Sequence, residues 1–266
     1  MGAKKELSIV DQEKLSKYFV GALDTVANLP ETVDKQRLAL NFISLLQDKP
    51  ELAKYGADVM APMVVRCAKD NLDVLNNEVY IYEGYGGKLT YTPSYKGLRK
   101  MAVQKSIKPI KDITAKSIYE GDTLDEEYEN GQSHLHYKSN FMQRGKWIGT
   151  FCTVLFEDGS EIHEIMNMDD INAVKAKSRN SGAWKDFPQE MAKKSVIRRI
   201  CKQITMDFTD KQQADSFTGA DEFIDDPKDQ AEKDIAENAN SKNIDEEIVA
   251  DVIVDEDGQT SFVTEE

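Results

Sequence analysis

The chain of 266 residues contains 34 lysines and arginines and 48 aspartates and glutamates, for a formal net charge of −14. This length allows one large domain or two small ones, each with a hydrophobic core. No apolar run approaches the roughly 20 residues of a membrane span, and the N-terminus turns acidic before any apolar run. We therefore expect a cytoplasmic protein without a signal peptide or a membrane contact.

The first third of the chain has the periodicity of helices. Apolar residues recur at helical spacing within residues 15–23, 38–46 and 60–68. The second of these patterns ends before Pro50, which cannot continue a helix interior. We expect the three apolar stripes to be core contacts.

The middle of the chain changes to the alternation of strands. Residues 77–92 alternate around a glycine-rich centre, which predicts a β-hairpin. Helical spacing returns over 95–105, and a strand is predicted over 110–120. Residues 145–167 predict two further strands joined by a turn at Asp158-Gly159.

Two helices are predicted after these strands. Asp169 or Asp170 can cap a helix over 171–178. After a loop, the last strong helix covers 186–205, with Pro188 in its first turn. The fold class is therefore α+β, with an antiparallel β-sheet packed with long helices.

The negative charge is concentrated at the C-terminus. Residues 211–266 hold 18 acidic and 4 basic side chains, which equals the whole net charge. This composition is typical of disorder, interrupted by an apolar island at 244–254. We divide the chain into a helical N-terminal region (1–56), a core (57–207) and an acidic, largely disordered tail (208–266). The tail is a DNA mimic, a docking segment for a partner, or only a solubilising segment.

The remaining charges form two basic blocks. Residues 88–118 carry eight basic side chains against Asp112, and residues 175–203 carry nine against two acidic ones. The segment between them, 119–170, has 12 acidic and three basic side chains. Basic blocks on a neutral body are typical of a surface that binds a polyanion. Ordinary solvated faces are the alternative.

The spacing of residues within 186–205 predicts a helix with one basic side and one apolar side. Lys194, Arg198 and Lys202 follow at intervals of four residues, with Arg199 beside them. Like charges in such a row repel each other, and a phosphate backbone would offset that repulsion. Lys193 falls toward the apolar side of the helical wheel.

Aromatic residues accompany both basic blocks. Binders of single-stranded nucleic acid combine a basic groove with rings that stack on bases. Tyr95 and Trp184 are candidates for stacking, and we expect Phe187 to be a packing residue.

No catalytic or cofactor motif is complete. Leu89 follows Lys88 where a phosphate-binding loop needs Ser or Thr, and the cysteines and histidines have no zinc spacing. We therefore expect no enzyme activity, no metal site and no cofactor. A set of carboxylates leaves a Mg²⁺-dependent nuclease as an alternative; its members are Glu157, Asp158, Glu161 and Glu164.

Several stretches, in order along the chain, resemble the RecT family of phage single-strand annealing proteins. They are LDVLNNEVYIY (72–82) with the following GGKLT, SYKGLRKMA (94–102), IYEGD (118–122), LHY (135–137), GKWIGTFCTVLFEDGS (145–160) and AWKDFPQEMAKKSVIRR (183–199). The last is the most specific. Ser94 stands where the family often has Gly.

The resemblance implies a function and a set of DNA contacts. It implies ATP-independent annealing of complementary single strands by a ring or helical filament, with a basic groove between a β-sheet and long helices. It also implies a 5′→3′ exonuclease partner and, further, a host single-strand-binding protein. Gly97 would be structural. The expected contacts to single-stranded DNA are Lys88, Tyr95, Lys96, Arg99, Trp184, Lys193, Lys194, Arg198, Arg199 and Lys202.

Three other functions stay open. The protein could coat single strands without annealing them, or cut them as a Mg²⁺-dependent nuclease. It could also be a helix-sheet adaptor whose tail binds partners and whose body has no affinity for DNA.

Overall fold

A computed structural model describes residues 9–129, 131–178 and 182–219, with two short strands beyond them. Within these residues the helices are α1 (Ile9–Asp24), α2 (Lys35–Asp48), α3 (Ala57–Asp70), α4 (Tyr95–Lys105), α5 (Met168–Lys177), α6 (Gly182–Asp186), α7 (Pro188–Cys201) and α8 (Lys211–Thr218). The strands are β1 (Val79–Glu83), β2 (Leu89–Pro93), β3 (Ile110–Tyr119), β4 (Thr123–Glu129), β5 (Gln132–Lys138), β6 (Trp147–Phe156), β7 (Glu161–Asn167), β8 (Ile253–Val254) and β9 (Thr260–Ser261). The strand pairs in this part of the chain are antiparallel, which confirms the predicted α+β class.

A three-stranded sheet with the order β3-β6-β7 lies at the centre of the fold. Successive side chains of β6 point to opposite faces, and both faces are covered. Cys152 and Val154 are fully buried on the face that packs on α7. On the other face the rings of Phe151 and Tyr137 from β5 lie 5.0 Å apart.

Between residues 79 and 167, three hairpins join consecutive strands. The β1-β2 hairpin confirms the prediction, and its turn requires glycine because Gly86 and Gly87 both have positive φ angles. The β6-β7 hairpin turns at Asp158-Gly159, also as predicted. The β4-β5 hairpin was not predicted. Its first strand is rich in acidic residues and almost wholly exposed, so it lacks the apolar alternation that identifies a strand.

One continuous cluster of buried apolar side chains connects α1, α2 and α3 with α4, α7 and the sheet. The predicted helical stripes are confirmed as core, since Phe19, Phe42 and Val64 are completely buried. The division of the chain at residues 56 and 207 stays a prediction. None of the described helices has both the length and the apolar character needed to cross a bilayer.

The beginning of the acidic tail, 208–266, contains one described helix. Residues Lys211–Thr218 form α8, which packs on the core and buries Phe217. Arg66 of α3 donates from Nε and Nη2 to Ser216 Oγ, at 2.9 and 2.7 Å. Gln213 Nε2 donates to the Lys69 carbonyl at 2.7 Å. Apart from β8 and β9, the chain from residue 220 onward lies outside the described residues, and so does most of the apolar island.

A buried polar cluster lies where α8 meets α3 and β2. Tyr91 Oη donates to Asp70 Oδ2 at 2.8 Å, and the Arg66 guanidinium lies 4.3 Å from the centroid of the Tyr91 ring. Burial raises the pKa of Asp70 to about 6, because the carboxylate loses its hydration.

Two predicted helix ends differ from the structure. The cap of α5 is Asn167, not Asp169 or Asp170; its side chain accepts from both of their backbone N–H groups, and Asp170 accepts in return from the Asn167 N–H. The last strong helix ends at Cys201 rather than at residue 205. The chain turns there and pairs with the end of α4, since the Ile107 N–H donates to the Thr205 carbonyl at 3.1 Å.

Candidate nucleic-acid interface

The start of α4 is fixed by two residues of the SYKG turn. Ser94 accepts hydrogen bonds from the backbone N–H groups of Lys96 and Gly97, at 3.1 and 3.3 Å, and donates to the Asn77 carbonyl at 2.7 Å. The Ser94 side chain thus supplies the helix cap. A Cβ atom at Gly97 would lie 2.1 Å from the carbonyl oxygen of Glu78. The expectation that Gly97 allows close packing is therefore confirmed.

This turn directs a basic face of α4 toward solvent. Lys96 and Arg99 are exposed and follow at a helical interval of three residues. Arg99 Nη2 lies 3.0 Å from Asp112 Oδ1 of β3, so an ion pair connects the helix to the edge of the sheet. The pKa of Asp112 is lowered, first by a hydrogen bond from Thr114 and then by neighbours that include Arg99, so the carboxylate is charged at neutral pH.

The basic face continues onto β3, which sequence reasoning missed. Lys111 and Lys116 of this strand are exposed. Within the described residues β3 pairs only with β6, so its outer edge is open. Both lysines belong to the first basic block. Lys111 lies next to Asp112, the partner of Arg99, and Lys116 lies farther along the strand, with its Nζ 5.4 Å from the centroid of the Tyr137 ring. We call Lys96, Arg99, Lys111 and Lys116 the α4-β3 basic face.

One cation of α7 approaches this face. The helix packs against α4 on one side and against the sheet on another. Lys194 Nζ lies 5.6 Å from the centroid of the Tyr95 ring, a cation-π contact between α7 and the first residue of α4. Both side chains are partly exposed. The structure thus brings together four of the predicted residues: Tyr95, Lys96, Arg99 and Lys194.

The predicted basic side of α7 is wrong at Arg198. This side chain is only 1% exposed, because α7 has neighbours on two sides and a helical wheel assumes one. Trp184 is also buried, at 4% exposed, whereas Phe187 is exposed. The expectations for these two rings are therefore reversed, and Arg198 and Trp184 are interior residues.

The other predicted cations lie apart from the α4-β3 basic face. Lys193 forms an ion pair with Glu190 at 2.5 Å, and Arg199 lies 3.6 Å from Glu164 of β7. Lys202 is exposed at the C-terminal end of α7. Lys88 is exposed in the β1-β2 turn, and β2 separates it from α4 by about 17 Å of extended chain.

The carboxylates proposed as a nuclease site have separate partners. Asp158 forms an ion pair with Lys108 at 2.9 Å, and that hydrogen bond is the first cause that lowers its pKa to about 2. Glu161 contacts His134, and Glu164 accepts from Gln203 at 2.6 Å. Among the described residues, no three His, Cys, Asp or Glu side chains are grouped to hold a metal ion.

The arrangement suits a flexible polyanion. Exposed cations on a helix and an open strand edge contact phosphates without reading bases, and such contacts carry no sequence information. Of the two rings predicted to stack on bases, Tyr95 is partly exposed beside these cations. A strand bound through its phosphates would keep its bases free to pair.

Comparison with known proteins agrees with this interpretation. A family model described as the RecT family matches residues 36–237, which include every element of the α4-β3 basic face. No curated protein matches the chain.

Proposed function

Because the chain belongs to the RecT family, whose members anneal single-stranded DNA in recombination, we propose that it anneals complementary strands without ATP, as an oligomer on DNA, in phage-type homologous recombination. The observation that supports this most directly is the α4-β3 basic face, where the cations of two elements lie side by side in solvent. Annealing breaks no covalent bond, so it needs no catalytic group.

The physical mechanism is neutralisation of phosphates. Two complementary strands repel each other, and lysine and arginine contacts release the counterions that each strand holds. Lys96, Arg99, Lys111 and Lys116 supply these contacts, with Lys194 and Tyr95 at the edge. Lys202 and Lys88 extend the same path only if the strand passes the end of α7 or the β1-β2 turn. Contacts that leave base edges free let a second strand test for complementarity.

The partners follow from this chemistry. Single strands must be supplied, and the resemblance to the RecT family implies a 5′→3′ exonuclease for that step and a host single-strand-binding protein on the same strands. One copy covers only a few nucleotides, so several copies must share a long strand. We place this assembly in the cytoplasm of a bacterial host. The acidic tail then suppresses loose binding or docks a partner.

The deciding experiment compares two double variants with equal charge change. Lys96→Glu/Lys111→Glu alters the basic face, and Lys14→Glu/Lys17→Glu alters exposed lysines of α1. We expect the first to weaken binding to a labelled oligonucleotide more than tenfold. The slope of log affinity against log salt should fall by about 1.4, at about 0.7 per phosphate contact on a single strand. The α1 variant should bind like the parent protein.

Annealing is measured with two complementary labelled strands and no nucleotide cofactor. Acceleration by the parent protein, lost in the Lys96→Glu/Lys111→Glu variant, supports the proposal. Binding without acceleration supports a coating protein instead. Shortening of the strands with Mg²⁺ supports a nuclease, and absence of binding at low salt supports the adaptor.

A further inference from the structure

A loop between β5 and β6 presents two large apolar side chains to solvent. Phe141 is 73% exposed and Met142 is 87% exposed. Fixed apolar side chains that stay in water are typical of protein contact sites. We call Phe141 and Met142 the knob.

The knob is held in place by its neighbours. Asp122 accepts hydrogen bonds from the backbone N–H of Asn140 at 2.8 Å and of Tyr119 at 3.0 Å. The Gly145 N–H donates to the Glu120 carbonyl at 3.1 Å. The Arg144 guanidinium lies 4.5 Å from the centroid of the Tyr119 ring. The loop therefore pays little conformational entropy when it binds a partner.

A groove lies at the opposite end of the sheet. It encloses about 790 Å³, a size typical of sites that hold ligand-sized groups. Its apolar lining comes from four separate segments, and Ile107 and Tyr128 are exposed by 64% and 77%. The residues that line it include Ile107, Tyr128, Phe156, Ile162 and Ile204.

The strands separate the knob from the groove. The knob loop leads directly into β6 at Trp147, and β6 ends at Phe156, which lines the groove. Ten residues of extended strand span about 33 Å. The two features are therefore different surfaces at opposite ends of one molecule, and they can meet only between copies.

The charges of the two surfaces are complementary. Three basic side chains flank the knob, Lys138, Arg144 and Lys146, and two acidic ones, Glu120 and Asp122, accept hydrogen bonds from the same loop, so three positive charges exceed two negative ones. The groove has two acidic lining residues, Glu126 and Glu161, against Lys108. Lys108 is already paired with Asp158. Opposite charges around an apolar contact favour one orientation of the partners.

We propose that the knob of one copy docks into the groove of the next copy. This contact rests on the proposed function, in which several copies share a DNA strand. Because the two surfaces differ, the contact is head-to-tail, and repeating it produces an open filament or a closed ring. Each copy along the strand then presents its α4-β3 basic face in a fixed relation to its neighbours.

The first test is sedimentation of the full chain with and without long oligothymidine. Phe141→Asp/Met142→Asp removes the knob, and Ile107→Asp/Tyr128→Asp changes the groove. All four positions are exposed, so the substitutions should not disturb the core. Under conditions in which the parent protein assembles, each variant alone should remain a monomer of 30.0 kDa. Leu40→Asp, at an exposed position of α2, should assemble like the parent.

Mixing the two variants gives the sharpest result. Each retains one intact surface, so the mixture should form a pair of about twice 30.0 kDa and nothing longer. A mixture that stays monomeric, or variants that assemble like the parent protein, overturns the proposal.

Cross-linking locates the contact. The native cysteines Cys67, Cys152 and Cys201 are buried, so an introduced thiol reacts selectively. Met142→Cys mixed with Tyr128→Cys should cross-link in the full chain, and neither should cross-link alone. Self-cross-linking of Met142→Cys would show a symmetric contact and overturn the proposal. The Tyr128→Cys thiol is also tested in the monomeric knob variant. If it is protected there, the chain's own C-terminal segment fills the groove, and the proposal is overturned.

The outcomes separate this contact from the proposed function. The knob variant keeps the α4-β3 basic face, so it should bind a short oligonucleotide like the parent protein while failing to assemble on a long one. A parent protein that cross-links but does not bind DNA would leave the contact standing and refute the function.

Discussion

Replacing Asp70 by asparagine should stabilise the protein at neutral pH. Asp70 is buried beneath α8, where it accepts a hydrogen bond from Tyr91 and lies near Ser216 and Arg66. Asparagine has nearly the same shape and can accept that hydrogen bond through its side-chain oxygen. The substitution therefore removes a buried charge while it preserves the packing.

The size of the effect follows from the pKa of Asp70. A pKa of about 6 in the fold, against 3.8 for the free group, corresponds to about 3 kcal/mol at about 1.36 kcal/mol for each unit. The folded state holds this proton at a higher pH than the unfolded chain, so stability falls as the pH rises from about 4 to 6. The loss of folding stability caused by the charge of Asp70 is fully present above this pH range and absent below it.

Urea unfolding of both proteins from pH 3.5 to pH 8 measures this difference. Asp70→Asn should exceed the parent protein by up to about 3 kcal/mol at pH 8 and match it below pH 4. The control is Asp125→Asn at an exposed position of β4, which should follow the parent throughout. A difference that is constant across the pH range, or a variant less stable at pH 8, would refute the reasoning.

Three further outcomes can be measured by unfolding. Gly97→Ala should lose about 1–3 kcal/mol, because its methyl group meets the Glu78 carbonyl; unchanged stability would contradict the packing. Arg198→Glu should lose about 3–5 kcal/mol, since it reverses a buried charge, while Lys194→Glu should unfold near the parent midpoint. A chain ending at residue 207 should lose about 3–5 kcal/mol relative to one ending at residue 219, because it lacks the burial of Phe217. Equal stability of the two truncated chains would show that α8 adds nothing to the core.

The elements with a strong periodic signal could be predicted from the sequence. The predicted helix over 95–105 coincides with α4 because its start is a local feature, the Ser94 cap, and because its buried residues lie on one side of the helix. The β4-β5 hairpin could not be predicted, since the outer side of β4 is solvated and its residues carry acidic rather than apolar side chains. Its strand conformation depends on β5, which packs on the sheet through Tyr137.

The candidate site was predicted in part for a related reason. Lys96 and Arg99 are visible from sequence because a short amphipathic helix has one exposed side. Arg198 is not, because α7 is enclosed by α4 and the sheet, and periodicity does not reveal how many neighbours a helix has. Lys111 lies in a basic block of the sequence. Only the ion pair between Arg99 and Asp112 in the structure shows that it lies near the cations of α4.

The open edge of β3 has a consequence for solubility. An unpaired strand edge presents backbone donors and acceptors that can recruit a strand from another molecule, and proteins commonly prevent this with lysine. A surface that meets DNA, as we propose for this edge, cannot be protected by covering it with a further strand. Lys111 and Lys116 keep the edge accessible to a polyanion while they repel the same edge of another copy. Replacing them with apolar residues would therefore remove the DNA contacts that we propose and, at the same time, the protection of this strand against aggregation.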